Sequence, residues 1–415
     1  MFLFLNIKPI CKHIIIVIYL FNAPLLFAQC DYFNKGFSPY INYTSWQYFP
    51  VGFTTFTQTL DGGILAIGSA PDTAKRRLFV VKTDSCGDTL AMKMYGQTDE
   101  IYFSGYGGAL IKTIDNNYAL CGTYRKNPQQ TLYSGVLIKF NEDGDTLWQK
   151  IIGDSLEQQF RAGIQTQEGY FYLAGYDTQA NGNNADMWLL KADSLGNTLW
   201  SKHYGGLHYE EATHIAATND GGFLLSGMTN SWTGGGQNYD IYIVKVDSAG
   251  NQIWDKRIGG PGSDGANIIQ INPNNYFLYG GRTISSINYA YIALLDINRN
   301  IIWDKYIGDT NNEYGIWSVY FNNIDSEFIL AGQYRDVLNS PNNTSGYISS
   351  YTLNGNLKWN RKYNTFSQFN YFRDIEATAD GGYILAGFGM GFIEDENNNT
   401  MFSQEGWLVK TDAYG

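Results

Sequence analysis

Carboxylates are the residues of this sequence with the most direct chemical use. Asp99 and Glu100, Glu157, Glu210 and Glu211, Asp264, and Glu313 recur at about the same place ahead of successive apolar segments. Two carboxyl groups flanking a sugar linkage, one protonated and one ionised, are what glycoside hydrolysis requires. These acids lie in separate segments, so they form a shared site or a plain polar rim according to how the chain stacks. Aromatic side chains on loops suit sugar or peptide contact, and two loops stand out, residues 229–239 with Trp232 and Tyr239, and residues 333–346. The candidate binding residues are therefore Trp232, Tyr239, Glu210, Glu211 and Glu313.

Other chemistry is scarce. Beyond residue 28 the histidines are His203, His208 and His214, none paired with another at metal-binding spacing, and there is no Gly-x-Ser-x-Gly elbow. The run Asn141-Glu142-Asp143-Gly144-Asp145 has the look of a calcium loop. It lacks the glycine at the sixth place and the glutamate at the twelfth, so it reads as a turn. Glu394-Asp395-Glu396-Asn397-Asn398-Asn399 reads as a solvated loop, with a cation held by neighbouring carbonyls as the alternative. No catalytic residue, metal site or cofactor is assigned, and no Gly-rich phosphate loop precedes a helix.

What must position these residues is a repeat. The clearest copy runs from Thr213 through Asp220-Gly221-Gly222 to Gly227, then from Asp240 through Asp247-Ser248-Ala249-Gly250-Asn251 to Trp254. The glycine closing its first half returns at Gly68, Gly122, Gly175, Gly227, Gly280, Gly332 and Gly387, separations of 54, 53, 52, 53, 52 and 55 residues. Seven such units predict one large repeat domain. Asp-Gly-Gly supplies the positive φ of a tight hairpin, and Asp-x-x-Gly-Asn supplies a second turn in which Asp bonds its own backbone. Each unit thus reads as four strands. Segments such as Ile241 to Val246 are apolar at nearly every position, so both faces are covered, as when each sheet lies between two others.

The expected fold is all-β, a seven-bladed β-propeller of four-stranded blades. Trp148, Trp200, Trp254, Trp303 and Trp359 fall once per unit in the fourth strand, with Ala91 in that place in the first copy, and are expected to fill gaps between blades. The last copy stops at Gly415, before its fourth strand, and Tyr43 to Phe49 precede the first unit. An N-terminal strand, placed at 43–49, is expected to complete the last blade and close the ring, which leaves no open edge.

Lys8 and Lys12, an apolar run from Ile14 to Phe21, and Ala28 are the parts of a secretory signal peptide. That run falls well short of the roughly 20 residues of a spanning helix, and no other segment reaches it. The expected organisation is a signal peptide at 1–28, a lead-in at 29–42 and one propeller at 43–415, secreted or held in the cell envelope. Cys30 raises a lipoprotein alternative, but Gln29 stands where a small residue is wanted. Cys30, Cys86 and Cys121 are too few for a disulfide framework; a Cys30–Cys86 bridge is one option, and Cys121 reads as a buried filler. The chain carries a net charge of −11, or −13 once Lys8 and Lys12 are removed. An acidic chain disfavours nucleic acid and anionic lipid as partners.

The pattern Thr-x-Asp-Gly-Gly-Tyr followed by Trp-Leu-Val-Lys-x-Asp-x-x-Gly-Asn-x-x-Trp resembles the repeats of secreted bacterial propeller proteins, many exported by the type IX route. The sorting domain usual at their C-terminus is not among these residues. Ala192 to Trp200 resembles the tryptophan-docking motif of quinoprotein propellers, one residue shorter and without a cofactor cradle. Asn354 to Trp359 is loosely similar to bulb-type lectin repeats, whose Gln-x-Asp-x-Asn-x-Val-x-Tyr mannose motif is absent. These resemblances imply a non-catalytic binding or scaffold protein whose partner is a glycan or a protein at the cell surface. The alternative is a polysaccharide hydrolase or lyase with acids drawn from several blades.

Overall fold

The computed structural model describes residue 30, residues 32–38 and residues 51–415, apart from 73–74, 98–99, 127–131, 154–155, 179–183, 233–235, 237, 261, 286, 366–367 and 395–399. Seven antiparallel sheets form four-stranded blades, meanders in chain order except that the last takes its outer strand from the N-terminus and the second has its inner strand in two pieces. The third blade is typical, with strands Gln158–Gln165, Phe171–Thr178, Ala185–Ala192 and Thr198–Tyr204 in spatial order from the channel outward. The expected seven-bladed propeller is what the chain forms.

Burial follows strand position. The third strand of blade four, Asp240–Val246, is buried at every residue, whereas the outermost, Gln252–Ile258, alternates between exposed and half-buried. The core is a set of seams. One apolar cluster joins blades three and four through Leu189, Ala212 and Leu225, and another joins blades four and five through Ile243, Ala266 and Leu278. The repeated tryptophans lie on these seams. Trp148 and Trp200 each reach the turn glycine of the next blade, Gly196 and Gly250, where a Cβ would lie within 3 Å of the indole. Both glycines have φ of 77°, so the position demands glycine twice over, for its backbone and for the ring above it.

The ring closes through an N-terminal strand, and that strand is Phe33–Phe37. It pairs antiparallel with Thr400–Thr411 from Phe33↔Lys410 to Phe37↔Gly406. This corrects the placement at 43–49, which lies outside the described residues, as does the signal segment at 1–28. The physical reason is substitution in kind. Phe33 lies against Gly87 of blade one as the tryptophans lie against their glycines, and Lys35 pairs with Asp88 as Lys202 bonds Asn251 between blades three and four. Cys30 and Cys86 form a disulfide, with Cα atoms 4.9 Å apart, tying this strand to the blade-one turn. Cys121 is free and buried, and burial pushes its thiol up to about 12.

Because the strands run as a meander, all Asp-Gly-Gly and Asp-x-x-Gly-Asn turns lie on one face, here the lower. The connections entering the first strand and joining the second to the third lie on the other, upper face. No helix among the described residues is long and apolar enough to cross a membrane.

Candidate functional site

The innermost strands meet the channel with a shared irregularity. In five of the seven blades the ladder slips at the same level, between Phe53 and Thr55, Phe160 and Ala162, Ala212 and His214, Ile316 and Ser318, and Phe372 and Asp374. A bulge re-aims the side chain it carries. The bulged residues are Thr54, Arg161, Thr213, Trp317 and Arg373. Blade two departs further. Its first strand breaks into Ile101–Ser104 and Leu110–Lys112, and the five residues Gly105–Ala109 stand where blade one has Thr54 and Thr55.

That segment reaches across to other blades. Tyr106 N–H donates to the Arg161 carbonyl at 2.8 Å, Gly163 N–H donates to the Gly108 carbonyl at 3.2 Å, and Leu110 N–H donates to Thr55 Oγ1 at 3.3 Å. A Cβ on Gly107 would sit 2.9 Å from the Arg373 carbonyl of blade seven. Above this crossing, on the upper face, lies a cavity of about 400 Å³ bordered by blades seven, one, two and three. Its chemistry comes from Arg76, Arg161 and Arg373, from Tyr106, Tyr133 and Tyr371, and from Phe53, Phe103 and Phe388, with no carboxylate among the described residues of its lining.

Each guanidinium is seated on rings. Arg76 lies 4.9 Å above Phe103, Arg161 lies 4.9 Å from Tyr106 and 5.4 Å from Tyr176, and Arg373 lies 4.5 Å from Trp317 and 4.8 Å from Tyr371. Such contacts fix a guanidinium by its face and leave its N–H edge for hydrogen bonds. Burial pulls Arg76 below its ordinary value, with the phenols of Tyr133 and Tyr371 opposing. Burial acts on Arg161 too, but Glu211 at 2.5 Å and the phenols of Tyr106 and Tyr176 outweigh it and hold the charge. Burial also raises the Tyr371 phenol, against the pull of Arg373 and Arg76.

The sequence-predicted acids do not converge. Glu100 accepts from Tyr102 and Tyr124, and Glu157 from Tyr176 and Gln159. Glu210 is wholly buried and accepts from Thr229 and from the Gly206 N–H. Glu211 pairs with Arg161, Asp264 with Arg282 and Glu313 with Arg335. Burial, with nearby Asp240 adding to it, raises the Asp264 carboxyl against the pull of Arg282; neither acid borders the cavity. Asp99 and residues 395–399 lie outside the described residues. Among the described residues no three metal-ligating side chains gather.

The two aromatic candidates part company. Trp232, 48% exposed, packs on Tyr242 and under Arg257, in the outer half of blade four. Tyr239 meets Tyr209, which meets Tyr176 and donates to Glu211, so it connects by rings to the Arg161 side of the cavity. The arginines and Tyr106 were missed by sequence reasoning. The signals present were an arginine directly after Phe160 and after Phe372, and the insertion Ser104-Gly105-Tyr106-Gly107-Gly108-Ala109.

Below the crossing lies a second tier. Asp374, fully buried, accepts from Thr55 and Ser318 hydroxyls, each at 3.1 Å. Burial and neighbouring Glu376 raise its carboxyl to about 7. His214 is half-buried, and desolvation lowers its imidazole to about 4.

No known protein family matches the chain. A 163-residue stretch is 23% identical to the regulatory protein FlaEY of Caulobacter vibrioides, covering 33% of this chain and 17% of that protein, so the match spans about a sixth of the relative's length. Among solved structures, the chain resembles Sqt1 of Chaetomium thermophilum bound to the N-terminus of ribosomal protein L10, with TM-score 0.47, 10% identity and 88% and 97% of the two chains covered. It also resembles the propeller domain of the trilobed protease of Pyrococcus furiosus, with TM-score 0.41, 9% identity and coverage of 86% and 94%. A third likeness is to an α-L-arabinofuranosidase of Fusarium graminearum, with TM-score 0.43, 9% identity and coverage of 91% and 97%. The fold assignment rests on the blades themselves.

Proposed function

We propose that this chain is an exported, non-catalytic binding propeller that takes a glycan into the upper mouth of its channel, at the cell surface or beyond. The observation that carries the proposal is the composition of the cavity: aromatic faces and hydrogen-bond donors from four blades, and no carboxylate among the described residues. Aromatic walls with a few placed polar groups are the usual make-up of a small-ligand site, and about 400 Å³ falls in the common range of about 300–1,000 Å³. The described acids that a hydrolase or lyase would need are taken up by arginines, tyrosines and other donors of the same or the next blade.

Export is supported by the N-terminal pattern and by the Cys30–Cys86 bond, which suits an oxidising compartment. With its sulfur in that bond, Cys30 has no thiol to accept a lipid.

The test is a panel of glycans titrated against the mature chain, with product analysis on the same samples. Saturable binding that weakens at least tenfold in Tyr371→Ala, without chain cleavage of the glycan, is the expected result. Release of shorter or unsaturated sugars points to the enzyme instead. A blank panel with a saturable protein partner moves the function to protein binding.

A further inference from the structure

Resting on that reading, we propose that the sugar held in the mouth cavity is acidic, carrying a carboxylate or a sulfate that the guanidiniums of Arg76, Arg161 and Arg373 grip together. The first ground is contrast. The whole chain carries 39 acidic and 28 basic residues, yet the cavity at the channel mouth gathers three arginines and, among the described residues, no acid. Such local inversion of charge against the field of the molecule concentrates ligands of one sign.

The second ground is that the scaffold does not require arginine there. At the equivalent bulge blades one and four carry threonine, bonded to a small polar residue of the next blade, and blade six carries Trp317. Thr54 meets Ser104 at 2.6 Å, and Thr213 meets Asn267 at 2.8 Å. Blades three and seven replace that pairing with Arg161 and Arg373, and blade one adds Arg76 from the start of its third strand. Burial opposes the charge on Arg76, with the Tyr133 and Tyr371 phenols working the other way. An oxyanion seated between the arginines offsets that cost.

The third ground is geometry of a chemical kind. Arginines seated on rings by their faces present planar N–H edges, the arrangement that binds carboxylate and sulfate oxygens in pairs. Tyr106, Tyr133 and Tyr371 supply the hydroxyls and ring faces that a sugar carrying the anion would meet. Glu211 holds Arg161 at 2.5 Å from its Nε, which orients the remaining N–H groups without entering the cavity lining.

The experiment is calorimetric titration of the mature chain with matched oligosaccharides: a neutral oligogalactan, an oligogalacturonate, a sulfated oligogalactan, and an oligoglutamate peptide as the non-sugar anion. The expected result is at least tenfold tighter binding of an acidic sugar than of its neutral counterpart, weakened by salt. The galacturonate and sulfated arms separate the two anions. Arg373→Gln and Arg76→Gln should each weaken acidic-sugar binding far more than neutral-sugar binding, so that most of that preference is lost. Arg373→Lys, which keeps the charge and the ring contact, should restore part of the sulfate affinity and less of the carboxylate affinity.

Neutral and acidic sugars binding alike overturn this inference and leave the glycan reading standing. Preference for the oligoglutamate peptide over every sugar overturns it in favour of an acidic protein partner. No binding in any arm overturns the glycan reading itself.

Discussion

The two faces of the ring are built on opposite rules. On the lower face the repeat is enforced: in four blades a nearly buried lysine of the third strand meets the aspartate of the first turn. These pairs are Lys82–Asp61 at 2.7 Å, Lys139–Asp115 at 2.5 Å, Lys245–Asp220 at 2.9 Å and Lys410–Asp380 at 2.6 Å. A threonine two residues earlier bonds the same carboxylate in each case. On the upper face no such rule holds, the connections differ from blade to blade, and the charged side chains among the described residues of the cavity lining are all arginines. Regularity marks what holds the ring together, and departure from it marks where a ligand is met.

The largest effect is expected from undoing closure on the lower face. Removing residues 29–50 takes away the Phe33–Phe37 strand, the Phe33 contact with Gly87 and the disulfide, and exposes the Thr400–Thr411 edge. In the chain-entropy picture a bridge closing a loop of this length alone contributes about 4 kcal/mol. The truncated chain should therefore lose cooperative unfolding or melt far below the intact one, whereas Cys86→Ala should cost at most that amount. A truncation that melts like the intact protein breaks the closure argument.

Next comes a single turn. Asp220→Asn leaves Lys245, whose side chain is 4% exposed, without its carboxylate. A buried charge stripped of its partner costs about 3–5 kcal/mol, and the open position of Asp220 reduces that to about 2 kcal/mol. Burial raises the Asp220 carboxyl, but bonds from Thr218, Lys245 and the Gly222 N–H outweigh it and bring it down to about 2. A depressed carboxyl stabilises the fold above its ordinary value near 3.8 and loses that contribution as pH falls towards 2. Denaturant melts of Asp220→Asn should match the parent near pH 2 and fall below it near pH 5.

Asp374, between the two faces, has the opposite sign. Its raised carboxyl binds a proton more tightly in the folded chain, so its contribution is full below about 4 and is lost as pH rises through about 7. Asp374→Asn, which cannot ionise, should flatten the fall in stability across that window. An unchanged pH profile would show that the tier is hydrated and does not isolate the carboxyl.

The architecture was legible because each of its rules is local. Asp-Gly-Gly and Asp-x-x-Gly-Asn fix turns by their own backbone needs, and the spacing of Gly68 through Gly387 counts the blades. The closing strand was misplaced because Phe33 and Lys35 imitate the role of the repeat's tryptophan and lysine without its sequence. The site was less legible still. Glu210 and Glu313 read as rim acids from order along the chain, but Thr229 and Arg335 take them up only after the strands pair. Arg76, Arg161 and Arg373 are 85 residues or more apart in sequence, and only ring closure places blade seven beside blade one. What announced them was an irregularity, the Gly105–Ala109 insertion and arginines in apolar strands, rather than a motif.

The smallest expected change in stability sharpens the comparison most. If the upper arginines serve a ligand, removing one charge relieves repulsion and burial as well as losing ring contacts, and these effects oppose one another. Arg373→Gln should accordingly shift stability by less than about 1 kcal/mol, since the contacts it loses are those to the Trp317 and Tyr371 rings. Set beside about 2 kcal/mol for Asp220→Asn, that difference separates a face selected for holding the ring from one selected for what it meets. A loss at Arg373 equal to that at Asp220, measured by chemical denaturation at one pH and salt, would make the arginines part of the scaffold and erase the distinction between the faces.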